Sequence, residues 1–107
     1  MERRNRRRYL VQGLNVYLPE DTTPLGSVVD LSPSGMRLYT SRSLVAGEEL
    51  TLSIRFPSAV LSQSIMLIDS LIVWNDVLED GNYQVGVRLN PDEEQIAVLD
   101  RAINLIA

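Results

Sequence analysis

Two clusters of polar side chains in this sequence could together bind an anionic ligand. The first is a run of five arginines within residues 3–8. An arginine fork matches a phosphate, matches the O6 and N7 edge of guanine, and stacks on flat rings. Arg4 and Arg8 are four residues apart, so both could converge on one ligand if this segment wraps around it. The run therefore predicts a site for planar bases and phosphates.

The second cluster is the polar turn from Asp30 to Gly35. Asp30 and Ser32 lie two residues apart at the end of a predicted strand, so their side chains point to the same face. A carboxylate can accept from the N1–H and N2–H2 edge of guanine, and a hydroxyl can bind a base or a phosphate. Gly35 allows a positive φ and a close approach of ligand to backbone. The alternative is ordinary turn chemistry, in which Asp and Ser cap their own backbone.

Composition excludes several kinds of chemistry. The 107 residues include no Cys and no His, which removes disulfides, thiol nucleophiles, His-based catalysis and the commonest transition-metal ligand. The acids at 92–94 lie in the first turn of a predicted helix, where they favour the helix dipole, so they indicate no metal site. No stretch is long and apolar enough to cross a bilayer. We expect a protein that is not an enzyme and holds no metal or cofactor.

Charge divides the chain into two parts. Every basic residue is Arg; residues 1–8 carry a net charge of +4, and residues 9–107 carry −8. Because closely spaced like charges repel, we expect residues 1–8 to form a flexible arm and residues 9–107 to form one domain. A general nucleic-acid binder would carry basic surface on its body too, so no specific nucleic-acid partner is expected. A solubilising tail or a weak polyanion binder is the alternative for the arm.

Six segments have the alternation typical of β-strands, and turn residues separate them. The predicted strands are 9–18, 26–31, 36–41, 48–56, 65 to about 74, and 83–90. In the first, Gly13 is expected to form a bend or bulge. The side chains expected to point inward from that strand are Leu10, Leu14, Val16 and Leu18. Asp80 and Gly81 predict a tight hairpin.

The end of the chain changes to a helical period. Asn90 is the expected N-cap, Pro91 the first helical residue, and Glu93 completes a capping-box spacing with Asn90. The helix is predicted over 91–106, and its apolar face comprises Ile96, Leu99, Ile103 and Ile106. Six short strands followed by one helix predict an antiparallel barrel or sandwich, capped by that helix.

At this point the sequence resembles the PilZ domain family. That family's Arg-x-x-x-Arg motif, often preceded by Glu-Arg, is matched by Arg4 and Arg8, with Arg3 and Arg7 as a second register. Its Asp/Asn-x-Ser-x-x-Gly motif is matched by Asp30, Ser32 and Gly35. A softer feature is a Trp that closes a strand before a hairpin and a Gly-Val-Arg segment. It is matched by Trp74 and by Gly86, Val87 and Arg88.

The resemblance implies a six-stranded antiparallel β-barrel with a C-terminal helix that binds the bacterial second messenger cyclic di-GMP, often as an intercalated dimer. The arginine pair would contact guanine Hoogsteen edges and phosphates. Asp30 and Ser32 would meet guanine edges or orient the arginines. Secondary candidates are Arg3, Arg37, Trp74 and Arg88. The residues alone favour a solvated Arg37 and a Trp74 buried in the barrel.

The same resemblance implies a cytoplasmic signalling protein whose ligand alters a surface for another macromolecule. We therefore expect a downstream protein partner of unknown identity and no membrane span. A PilZ-like adaptor that has lost its ligand and acts through protein contacts alone is the first alternative.

Overall fold

The computed structural model of this chain describes residues 9–11, 13–56 and 65–106, with the backbone alone at Tyr9 and Ile106. The expected arm over residues 1–8 lies outside the described residues. The elements are β1 (Tyr9–Leu10), β2 (Asn15–Tyr17), β3 (Gly26–Ser32), β4 (Gly35–Thr40), β5 (Glu49–Arg55), β6 (Ile65–Val77), β7 (Tyr83–Leu89) and α1 (Glu93–Ile106).

The strands close into an antiparallel barrel. Their order is β1-β3-β2-β5-β6-β7-β4, and a further pairing of β3 with β4 joins the two ends of the sheet. Both β1 and β2 pair with β3, through Tyr9 opposite Leu31 and Asn15 opposite Ser27. These two short strands therefore occupy one position, and the barrel has six strands, as predicted.

The first predicted strand is broken into β1 and β2. The break changes which of its first side chains point into the barrel. Gly13 adopts a φ of +77°, and between the two halves Val11 donates its N–H to Val29 O while Leu14 O accepts from Val28 N. Leu14 and Val16 are buried as predicted. The prediction for Leu10 is wrong: its side chain is 74% exposed, and Val11 is buried instead, because the break reverses the alternation.

The barrel interior is filled by inward-facing side chains of β2 to β7. In β4, Met36, Leu38 and Thr40 are buried, as the alternation predicts. The apolar face of α1 covers part of this core through Leu99, Ala102 and Ile103. Within the described ranges, no helix is both long enough and apolar enough to cross a membrane.

The helix begins later than predicted, and its cap is a different residue. Asp92 Oδ1 accepts from Gln95 N at 2.8 Å, and Gln95 Oε1 accepts from Asp92 N at 3.1 Å. This is a capping box between Asp92 and Gln95. Asn90 lies two residues before this cap, and its backbone N–H donates to Asp69 O at 2.9 Å, a bond to the sheet.

The hairpin between β6 and β7 is also longer than predicted. Strand β6 continues beyond Trp74 to Val77, which pairs with Tyr83. The loop is closed by a bond from Leu78 N to Asn82 O, and Gly81 within it has a φ of +88°. Asp80 and Gly81 thus lie in the loop of this hairpin, as predicted.

Candidate ligand-binding site

A β-bulge in β3 turns Asp30 to the outside of the barrel. Val28 pairs with Leu38, but the next pair joins Asp30 to Arg37, so Val29 is an extra residue on β3. Such a bulge reverses the face of the residues that follow it. Val28 is buried in the interior, and strict alternation would send Asp30 there as well. The bulge instead aligns Asp30 with the outward-facing Arg37.

A second bulge, in β6, does the same for Trp74. Ile72 pairs with Val87 and Trp74 pairs with Gly86, which leaves Val73 as the extra residue. Trp74 is 37% exposed, so the expectation that it is buried in the barrel is wrong. Its indole lies against Gly86: a Cβ there would be 2.2 Å from Nε1 and Cε2 of the ring.

The two bulges leave an outward-facing groove across the strands that lie between them. Leu10 pairs with Asp30, Asp30 with Arg37, Arg37 with Gly86, and Gly86 with Trp74. This Asp30–Trp74 groove has a volume of about 500 Å³. It is lined by Leu10, Asp30, Arg37, Val73, Trp74, Gly86 and Val87. Acidic, cationic, aromatic and aliphatic groups thus share one surface.

An ion pair forms the polar part of the groove. Arg37 Nε donates to Asp30 Oδ2 at 2.5 Å, and the Asp30 side chain is 4% exposed. A buried carboxylate requires such a partner, because removing it from water is otherwise costly. Arg37 does face outward, with 36% of its side chain exposed, but it is ion-paired rather than simply solvated.

Ser32 and Gly35 shape the hairpin between β3 and β4. Ser32 Oγ accepts from Ser34 N at 3.3 Å and donates to Gly35 O at 3.3 Å, so this buried hydroxyl bonds within its own turn. Gly35 pairs with Ser32 across the hairpin. The described glycines with positive φ are Gly13, Gly47 and Gly81, so Gly35 does not adopt the positive φ that we considered for it.

Arg88 lies apart from this groove. It pairs with Gly35 across β4 and β7, but its exposed side chain lines a separate groove beside Glu49 and Asp69. Among the described residues, the side chain of Arg88 has no hydrogen-bond or ion-pair partner. Of the secondary candidates, Arg37 and Trp74 therefore share the groove with Asp30, and Arg88 lies outside it.

The arginines at positions 3, 4, 7 and 8, which carry the first predicted motif, lie outside the described residues. What the structure does describe is the point at which they join the barrel. Tyr9, which directly follows Arg8, pairs with Leu31, and Leu31 lies between Asp30 and Ser32 on β3. The first described residue after the arginine run therefore lies on the strand that pairs with the second motif.

Comparison with known proteins assigns the family. A family model described as the PilZ domain matches residues 2–105. The chain belongs to the PilZ family. No curated protein sequence matches it.

Solved structures share the fold of this PilZ domain at low sequence identity. The PilZ domain of Escherichia coli YcgR with c-di-GMP is 15% identical, with a TM-score of 0.70 over 97% of this chain and 92% of that one. The MrkH–c-di-GMP complex of K. pneumoniae is 15% identical, with a TM-score of 0.73 over 94% and 51%. The Bacillus subtilis inhibitor of motility MotI/DgrA is 17% identical, with a TM-score of 0.70 over 97% and 51%. This chain spans about half the length of the last two.

A hydrogen-bond network beside the groove of the PilZ barrel was not foreseen from the sequence. Tyr39 Oη donates to Asp80 Oδ2 at 2.5 Å and accepts from Asn82 Nδ2 at 2.6 Å, while Asp80 Oδ1 accepts from Asn82 N at 2.9 Å. The bond from Tyr39, followed by that from the Asn82 backbone, lowers the pKa of Asp80 below its usual 3.8. The network joins β4 to the hairpin between β6 and β7.

Sequence reasoning also missed Leu10 and Val73 as groove residues. Leu10 carried no signal, because its apolar side chain was expected inward. Val73 carried none either, because Val is a common strand residue and nothing marks it as the extra one of a bulge.

Among the residues that the structure describes, no three acidic side chains come close enough to hold a metal ion.

Proposed function

We propose that this PilZ chain is a non-enzymatic receptor for cyclic di-GMP that acts in the bacterial cytoplasm. Arg4 and Arg8 of the arm, or Arg3 and Arg7 in the second register, would bind guanine Hoogsteen edges and phosphates. Asp30 would meet a guanine edge. Family membership supports this function, as do the similar PilZ structures of E. coli YcgR and K. pneumoniae MrkH, which contain c-di-GMP.

The observation that carries the proposal is the pairing of Tyr9 with Leu31. Arg8 is one peptide unit from Tyr9, and consecutive Cα atoms are about 3.8 Å apart. A ligand bound by Arg8 would therefore be within reach of the part of β3 that carries Leu31 and Asp30. Two motifs that are more than 20 residues apart in the sequence can then act on one ligand.

The second motif divides into two roles under this proposal. Ser32 and Gly35 shape the hairpin, because the hydroxyl of Ser32 bonds to Ser34 N and Gly35 O. Asp30 and Arg37 face the ligand. The exposed indole of Trp74 offers a flat surface on which a base can stack, an interaction worth about 1–3 kcal/mol per base.

Energetics require several contacts to act together. Ordering an arm of eight residues costs roughly 1–2 kcal/mol per residue, or on the order of 10 kcal/mol in all. One bidentate arginine–guanine pair contributes about 1–3 kcal/mol. The ligand would therefore order the arm only through several arginines, stacking and phosphate contacts, and the ordered arm would change the surface that a protein partner meets.

The test is a calorimetric titration of the purified chain with cyclic di-GMP at near-physiological salt. GTP and a short single-stranded oligonucleotide serve as competitors. Saturable micromolar or tighter binding that neither competitor matches supports the receptor. Equal binding of all three supports a polyanion-binding arm. No binding leads to the ligand-independent adaptor, with the barrel surface and α1 as the places to search for its partner.

A further inference from the structure

Asp30 and Arg37 bring an acceptor and a donor to one place in the groove. They are register partners on the adjacent strands β3 and β4, and both line the Asp30–Trp74 groove. Facing side chains on paired strands have Cβ atoms about 4.5–5.5 Å apart. The bond of 2.5 Å from Arg37 Nε to Asp30 Oδ2 then fixes how the two groups are turned relative to each other.

That bond uses only part of the hydrogen-bonding capacity of Arg37. A guanidinium has five N–H donors in a planar fork, and Asp30 takes the one on Nε. Among the described residues, the two terminal nitrogens have no partner. Because about a third of the Arg37 side chain is exposed on the groove, these donors are available to a ligand.

The two bases guanine and adenine differ in the order of their donors and acceptors. Guanine presents the O6 acceptor next to the N1–H and N2–H2 donors, whereas adenine presents the N6–H2 donor next to an acceptor nitrogen. An arginine donor beside a carboxylate acceptor complements guanine, because Arg37 can donate to O6 while Asp30 accepts from N1–H or N2–H2. Adenine in the same position would place its amino group against Arg37 and its ring nitrogen against the carboxylate.

We propose that Arg37 is a specificity residue of this site: held by Asp30, it reads O6 of a guanine and so discriminates guanine-containing from adenine-containing cyclic dinucleotides. This inference rests on the proposed function. It differs from the role of the arm: the arginines of the arm are assigned to Hoogsteen edges and phosphates, whereas Arg37 acts together with Asp30 on the edge of guanine that carries O6, N1–H and N2–H2.

The experiment measures the affinities for cyclic di-GMP and cyclic di-AMP with the full chain, Arg37→Met, Arg37→Lys and the matched control Arg101→Met. Arg101 is an exposed arginine on α1, so its substitution makes the same change in net charge away from the groove. The deciding quantity is the ratio of the two affinities, because a purely structural role of Arg37 would weaken both ligands alike.

We expect Arg37→Met to reduce the preference for cyclic di-GMP by about 5- to 150-fold, the discrimination of one bidentate contact, because it disrupts the two-point contact that Arg37 and Asp30 make together with one guanine. Arg37→Lys should retain an intermediate ratio, because it keeps a cation beside Asp30 without the planar fork. Arg101→Met should keep the ratio of the unaltered chain.

Equal loss for both ligands, or no loss, in Arg37→Met would overturn this inference and leave the proposed receptor function standing. If the unaltered chain binds neither dinucleotide, the proposed function and this inference both fall. Should Arg37→Met not fold, as judged by circular dichroism, the ratio for Arg37→Lys decides, and a ratio equal to that of the unaltered chain overturns the inference.

Discussion

The indole of Trp74 occupies the space in front of Gly86, where a Cβ would lie 2.2 Å from its Nε1. No residue other than glycine can sit under the ring without moving it. Gly86 also pairs with Arg37 on β4, so the position of the indole is coupled to the sheet that carries the Asp30–Arg37 ion pair. This contact explains why the Gly-Val-Arg segment of the sequence begins with a glycine.

Gly86→Ala should displace Trp74 from the sheet. Overpacking a site typically costs about 1–3 kcal/mol, and because Trp74 is partly exposed and can move outward, we expect the lower end of that range. Trp74 is the sole tryptophan, so its emission should shift to longer wavelength as the ring enters water. Gln84→Ala, on the same strand, is the control, and an unchanged emission spectrum in Gly86→Ala would contradict the contact.

Loss of one arm arginine should weaken cyclic di-GMP binding strongly. We expect Arg4→Ala or Arg8→Ala to lower the affinity by about 1–3 kcal/mol, or roughly 5- to 150-fold, by calorimetry. The affinity of the unaltered chain should fall with added salt, since the contacts are charged and solvent-accessible.

Arg3→Ala and Arg7→Ala decide the register of the arginine motif. A larger loss in these two variants than in Arg4→Ala and Arg8→Ala would assign the motif to the second register. If all four variants bind as tightly as the unaltered chain, the arm is not part of the site.

The Tyr39–Asp80 bond should contribute to stability in a pH-dependent manner. The folded-state pKa of Asp80 is lowered below 3.8, so the charged carboxylate is stabilised by folding. This contribution is present above the unfolded-state pKa and is lost as the pH falls through the lower folded-state pKa. Tyr39→Phe should therefore reduce the urea midpoint at pH 7 more than at a pH below both values.

Glu79→Gln, in the same hairpin, controls for the general effect of charge on acid stability. The urea midpoints of Tyr39→Phe and the unaltered chain could instead differ by the same amount at pH 7 and in strong acid. That result would show that the bond does not depend on the charge of Asp80.

Two substitutions near the start of α1 test which residue caps it. Asp92→Ala should lower the free energy of unfolding by about 0.5–2 kcal/mol, because Asp92 Oδ1 accepts the N–H of Gln95. Asn90→Ala should cost little, since only the backbone of Asn90 makes a described bond. Urea unfolding measures both, and a greater loss for Asn90→Ala would restore the cap expected from the sequence.

Strands without bulges were predictable residue by residue. In β4, Met36, Leu38 and Thr40 all point inward, because an unbroken strand keeps its two-residue period. The apolar face of α1 was likewise predictable from the helical spacing of its apolar residues, and Leu99 and Ile103 are buried. The cap of α1 was misassigned by two residues, because Asn90 and Asp92 are both good caps and only the reciprocal bonds between Asp92 and Gln95 identify the latter.

The sequence by itself determined the strand and helix periods, the two motifs and the resemblance that they carry. Only the tertiary structure decided that Asp30 and Trp74 face outward into one groove. Each depends on one extra residue, Val29 or Val73, opposite a partner strand. A bulge is a property of two paired strands, and one-residue changes of register reverse every side chain that follows. The sequence of one strand does not carry that information, so the residues that share the groove could be identified only in the folded barrel.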